Sequence, residues 1–193
     1  GHLKRCISLS IRLRELGSKI NFAIVKDDYS NKLLSSLTIP FFVLNTISGS
    51  IQDLEKTLII AKKISADIII IDSYEIDDYY RKRLMDNGFF VVTLSDLGFD
   101  VQDYNMNVNS NLNAEKIVAI ANNKDQLLGI DYLIMPREFW GICNYKPIDK
   151  IDNVLITMGG IDHFDLTTLI LIILDSINLH FTTNIIVGPY YEN

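Results

Sequence analysis

The chain has 193 residues, 48% of them hydrophobic and 22% charged, which suits one large domain or one domain and part of another. A formal net charge of −6 and a sequence pI near 5.0 argue against broad nucleic-acid or anionic-membrane binding and leave room only for a local basic pocket. Two unpaired cysteines, Cys6 and Cys143, exclude a disulfide framework or a zinc ribbon, read as core thiols and point to a reducing, cytoplasmic setting.

The opening residues Gly1-His2-Leu3-Lys4-Arg5-Cys6 have the composition of a strand-to-helix corner beside a bound anion. Leu3 to Leu16 predicts a helix, with one small-to-apolar row through Leu3, Ile7 and Ile11, a second through Leu9, Leu13 and Leu16, and Gly17 as the stop. Ile20 to Val25 predicts a short strand covered on both faces, Ser30 a cap for a helix through Leu37, and Phe41 to Leu44 a second strand. Ser50 is placed to cap a helix over Ile51 to Ile64, and Ile68 to Asp72 reads as a buried parallel strand. Asp77 and Asp78 fall in the first turn of a helix ending near Asn87-Gly88, and Phe89 to Leu94 gives the next strand. Ser95 to Asn113 is polar, with a short ordered segment around Met106 to Asn109, and Ile130 to Ile134 gives the last strand of this half. A linker at Asn144 to Asn153 precedes a restart: strand Val154 to Met158, turn Gly159-Gly160, helix Asp165 to Asn178 and strand Asn184 to Val187. The apolar run Leu166 to Leu174 is about half the ~20 residues of a membrane crossing and reads as a buried helix, so no integral membrane segment is expected.

Strand and helix in alternation with short links predict a parallel, doubly wound α/β sheet. Ligands of such sheets bind beyond the carboxyl ends of the strands. That rule selects His2 before the first helix, Asp72, Ser73 and Tyr74 after the third strand, Ser95 and Asp96 after the fourth, and Asn107 and Asn109 beyond. Each has a plainer reading: a terminal helix residue for His2, packing for Tyr74, turn caps for Asp72 and Asp96, a simple turn for Gly159-Gly160. The amides opening the helix after Gly160 would favour an anion there. His163 and His180 read as surface residues. Metal-ligand spacing, a phosphate-binding lysine loop and Gly-x-Gly-x-x-Gly are not found in the sequence, so neither a metal nor a cofactor is expected.

Taken together, Gly1 to Cys6, Ile71-Asp72-Ser73-Tyr74, Asn107-Val108-Asn109, Tyr132 to Phe139, Met158 to Asp162 and Ile186 to Pro189 resemble, in order and spacing, the UDP-sugar hydrolases of pseudaminic acid biosynthesis and the related spore-coat polysaccharide proteins. The resemblance implies a glycosyltransferase B-like fold, with a Rossmann-like first domain over 1–147 and a UDP-binding domain beginning at 148. It further implies that the first strand and its glycine-rich loop lie before Gly1, that most of the second domain lies beyond Asn193, and that this stretch alone is inactive. His2 would be the catalytic base; Gly1, Arg5, Tyr74, Asp96, Asn109 and Arg137 would line the sugar site; Gly159, Gly160 and Asp162 would face UDP. One position departs from the pattern: Pro136 stands where the family has arginine, with Arg137 one place later.

Three functions follow from these residues. The first is hydrolysis of a UDP-linked diacetamido-trideoxy hexose by water attack at the anomeric carbon. The second is a transferase of the same architecture that uses a UDP-sugar donor. The third is a nucleotide-sugar-binding module without turnover. In each the partner is a nucleotide sugar, and the oligomeric state is open.

Overall fold

Apolar runs of four or five residues alternating with amphipathic helices leave each strand a parallel neighbour. The computed structural model describes residues 1–96, 103–117, 125–142, 149–177 and 180–191. They fall into two units, His2–Glu138 and Phe139–Asn193. In the first, α1 (His2–Glu15) leads to β1 (Phe22–Val25), α2 (Asp28–Ser36) and β2 (Phe41–Leu44). Then come α3 (Ile51–Lys63), β3 (Ile68–Ile71), α4 (Asp78–Asp86), β4 (Phe90–Leu94), β5 (Met106–Asn109), the single turn α5 (Ala114–Ile117) and β6 (Asp125–Leu128). β1 pairs with β2, and β3-β4-β5-β6 form a second sheet in sequential order, every pair parallel.

Helix starts follow side-chain chemistry. Ser50 accepts from Asp53 N at 3.2 Å and caps α3, and Asp77 accepts from Tyr80 N at 2.8 Å and caps α4. The α2 cap is Asp27 and not Ser30: the Asp27 carboxylate takes both the Ser30 amide, at 2.7 Å, and the Ser30 hydroxyl. An anionic acceptor in the extended conformation competes better for those donors than a hydroxyl inside the first turn. Two apolar clusters hold the helices to the strands. Ile7, Leu34 and Ile39 pack with Leu3, Phe22, Ile24 and Phe41; Leu54, Ile71, Tyr80, Leu84 and Val91 pack with Leu58, Ile69 and Ile76.

Three further expectations are corrected. Residues Ile130–Tyr132 form a 3-10 turn, and the strand is Asp125–Leu128, because Gly129 at φ 99° turns the chain out of extended geometry before Ile130. β3 is not buried on both faces: Ile71 is 4% exposed, whereas Ile68 is 55% and Ile70 36%. Only the odd-numbered side of the strand packs on α3 and α4. The apolar helix of the second unit is also not buried, as shown below.

The second unit contains β7 (Asn153–Thr157), α6 (Leu166–Asp175) and β8 (Thr182–Ile186), with β7 and β8 parallel. Thr167 is the buried residue of α6, while Leu169, Ile172 and Ile173 are exposed, because a two-stranded sheet covers only one strip of the helix. The expected domain boundary at 147/148, the first half of the linker, Cys143 and Asn178 lie outside the described residues. Among the described residues no helix is long and apolar enough to cross a membrane.

Candidate active site

The site grows from a helix face and two strand ends. On α1, His2, Arg5 and Cys6 stand at i, i+3 and i+4 and so share one face. The chain leaves β3 at Asp72 and β4 at Ser95-Asp96, at the carboxyl edge of the sheet. All three α1 side chains reach Asp72, whose side chain is 2% exposed. His2 Nδ1 lies 2.6 Å from Asp72 Oδ1. Arg5 donates from Nε to Oδ2 at 2.9 Å and from Nη2 to Oδ1 at 2.5 Å, a two-pronged grip on the carboxylate. It also donates from Nη1 to Asp96 Oδ1 and from Nη2 to Asp96 Oδ2 at 3.0 Å.

These contacts decide protonation states. Burial pushes the Asp72 carboxyl up, but hydrogen bonds and charge from Arg5 and His2 outweigh it and hold it below the ordinary carboxylate value. Asp72 is therefore an ionised, acceptor-only group, so His2 Nδ1 carries a proton and donates it. Nε2 is then the nitrogen that can take up another, on a side chain 39% exposed. Arg5 has its affinity for its proton raised by the hydrogen bonds to Asp72 and Asp96 against the cost of burial. Burial pushes the Cys6 thiol up to about 12, with the Asp72 charge adding to it, so it stays a thiol and donates weakly to Asp72 Oδ2 at 3.5 Å. The Cys6 thiol is not a nucleophile here.

Tyr74 closes the group. Its hydroxyl donates to Asp96 Oδ2 at 3.2 Å and its ring meets the His2 ring edge-on, centroids 4.6 Å apart at 87°. Ligand atoms of His2, Asp72 and Asp96 lie within 4.8 Å of one another. The positive charge between the two carboxylates is the Arg5 guanidinium, which offsets one of their two negative charges.

The structure thus brings His2, Arg5, Tyr74 and Asp96 together. Gly1 precedes α1 with open space where a Cβ would lie. Asn109 is 1% exposed and accepts from Asn111 N at 3.1 Å, part of a buried polar row that includes Ser95 Oγ donating to Asn107 Oδ1 at 2.9 Å. Arg137 is elsewhere: its Nη1 meets Glu15 Oε1 at 3.1 Å at the far end of α1, roughly 20 Å along the helix from His2. In the second unit, Asp162 takes the first-turn amides of α6, accepting from Leu166 N at 2.9 Å and Thr167 N at 2.8 Å. Gly188 packs on Gly159 and Gly160. The strand-end rule selected Asp72 but gave it no role in the site, and it did not select Asn111. Asp72 read as a turn cap, although a carboxylate ending an all-isoleucine strand needs a cationic partner. Asn111 donates from Nδ2 to Asp96 O at 2.5 Å and fixes the β4 exit; no local pattern in the chain points to it.

No protein-family profile matches the chain. The uncharacterized protein MJ1062 of Methanocaldococcus jannaschii is 24% identical over the whole of this chain and 40% of its own length. Among solved structures, MurG from Acinetobacter baumannii superposes with a TM-score of 0.57 at 12% identity, over all of this chain and 64% of MurG. The chain therefore spans less than two thirds of either protein. The fold is glycosyltransferase B-like, a parallel Rossmann-like α/β architecture.

Proposed function

We propose that His2 is the general base of an enzyme that attacks the anomeric carbon of a UDP-linked sugar. The observation that carries this reading is the 2.6 Å contact of His2 Nδ1 with an Asp72 kept ionised by Arg5, because it leaves Nε2 as the proton acceptor. In the hydrolase reading a water oxygen bonds to the anomeric carbon as the bond from that carbon to the diphosphate oxygen breaks. The water proton passes to His2 Nε2, and UDP departs with the electron pair. UDP is a good leaving group, so a positioned base suffices and contributes ~10²–10⁴-fold.

Tyr74 and Asp96 stand beside the imidazole, and their hydroxyl and carboxylate suit sugar hydroxyls or acetamido N–H groups. Gly159 and Gly160 of the second unit are proposed to approach UDP through their backbone. Asp162 contributes there by capping α6 and shaping the turn.

A second reading replaces water by a hydroxyl of an acceptor sugar or lipid. The glycosyltransferase B-like fold favours it, and the same base serves both. The deciding experiment incubates the full-length polypeptide with UDP-2,4-diacetamido-2,4,6-trideoxy-β-L-altropyranose in ¹⁸O water. Label on the free sugar supports hydrolysis at the anomeric carbon, and UDP release only with an added acceptor supports transfer. Unchanged UDP release by His2→Asn rules out the base.

A further inference from the structure

We propose that Arg5 is a positioning residue that confines His2 to one tautomer, and that it does not anchor the substrate. The inference rests on the reading of His2 as the base. A guanidinium has five N–H groups. Two of Arg5's go to Asp72, from Nε and Nη2, and two to Asp96, from Nη1 and Nη2. A single N–H remains, on a side chain 19% exposed, so the paired donors that would grip a phosphate or carboxylate of a ligand are already committed.

What Arg5 does instead follows from charge. Asp72 and Asp96 approach closely enough that ligand atoms of the pair and His2 lie within 4.8 Å of one another. Two carboxylates this close disfavour ionising together, and one would hold a proton. A protonated Asp72 can donate as well as accept, and His2 Nδ1 would lose its fixed role. Arg5 supplies the positive charge between the two carboxylates, keeps Asp72 an acceptor and thereby keeps the proton on Nδ1. The Cys6 thiol, on the same oxygen of Asp72 as Arg5 Nε, adds a donor and no charge. Tyr74, through Asp96 Oδ2, shares the outer end of the same clamp.

The test is the ¹⁵N spectrum of the His2 imidazole in the full-length protein above neutral pH, with folding checked from the amide spectrum. Wild type shows the proton on Nδ1. Arg5→Gln lowers the ratio of the Nδ1–H to the Nε2–H form by about tenfold or more, the scale of one charge-assisted hydrogen bond. Arg5→Lys, which keeps the charge and loses the fork, shifts the ratio less in the same direction. It also carries the test if Arg5→Gln does not fold. A His2 spectrum unchanged in these variants overturns the proposal. With the same UDP-diacetamido sugar as substrate, Arg5→Gln lowers kcat about tenfold with KM within roughly twofold. A raised KM at constant kcat would instead make Arg5 a substrate anchor. If His2→Asn retains full activity, the base reading falls while the spectra still decide what Arg5 does to His2.

Discussion

Replacing Asp72 by asparagine keeps the shape of the side chain and removes the charge on which three α1 residues converge. The carboxylate is 2% exposed and receives Arg5 Nε at 2.9 Å, Arg5 Nη2 at 2.5 Å and His2 Nδ1 at 2.6 Å. Charge-assisted hydrogen bonds contribute about 1.5–3 kcal/mol each, and breaking a buried pair costs about 3–5 kcal/mol. Two effects reduce the loss: Arg5 keeps Asp96, and the amide costs less to bury than a carboxylate. We expect Asp72→Asn to lose about 2 kcal/mol at neutral pH, read by urea unfolding followed by circular dichroism. The pH dependence adds an independent check. The folded-state pKa of Asp72 lies below its unfolded value. Its contribution is therefore fully present above the unfolded value of about 3.9 and is lost as pH falls through the folded pKa. Wild type shows that acid loss, and Asp72→Asn shows less of it. A variant within about 0.5 kcal/mol of wild type, or an acid limb identical in both, would refute the assignment of Asp72 as the charged hub.

Three other outcomes follow from geometry. Gly49→Ala places a Cβ 2.0 Å from the Glu75 carbonyl oxygen at φ +73°, and Gly188→Ala places one 2.3 Å from the Gly159 carbonyl oxygen; each should lose roughly 2–4 kcal/mol in thermal or urea unfolding. A loss under about 0.5 kcal/mol would mean the loops are not in contact. Arg137→Ala removes an exposed pair with Glu15 and should change stability by less than about 0.5 kcal/mol, with KM for the UDP-sugar of the proposed function unchanged; a raised KM would return Arg137 to the proposed sugar site. Alkylation of Cys6 by iodoacetamide, followed by peptide mass, should be at least about tenfold slower in the folded than in the urea-unfolded chain, since burial suppresses the thiolate. Equal rates would show the thiol to be open.

Local chemistry was legible in the sequence wherever it is decided within a few residues. Ser50 caps α3 as its position predicted, Asp77 stands one place before the first turn it was expected in and caps α4, and Gly17, at φ 92°, follows the last turn of α1. His2 and Arg5 share a face because i and i+3 do. Partners distant in the chain were not legible. Asp72 is 67 residues from Arg5, and the sequence around it does not name the cation that a carboxylate ending an isoleucine strand needs. The exposed face of β3 was hidden for a related reason, since four isoleucines read alike whether one or both faces are covered. The last strand of the sheet was misplaced because Asp125-Gln126-Leu127-Leu128 has little β propensity and draws its stability from parallel pairing with Met106 to Asn109.

The opening corner was read from the sequence as a place beside a bound anion, and the structure identifies an anion there that belongs to the protein. Asp72 sits against His2, and two carboxylates against one guanidinium leave the group with an excess of one negative charge. That excess repels a diphosphate. Under the proposed function the leaving group is therefore held away from this corner, and the species that approaches Nε2 is a neutral hydroxyl or water. UDP alone should then leave the His2 and Tyr74 resonances unmoved, whereas the uncharged sugar, or the intact UDP-sugar, should shift both. Perturbation of His2 by UDP alone, comparable to that by the UDP-sugar, would place the diphosphate at the corner and reverse this assignment of ends.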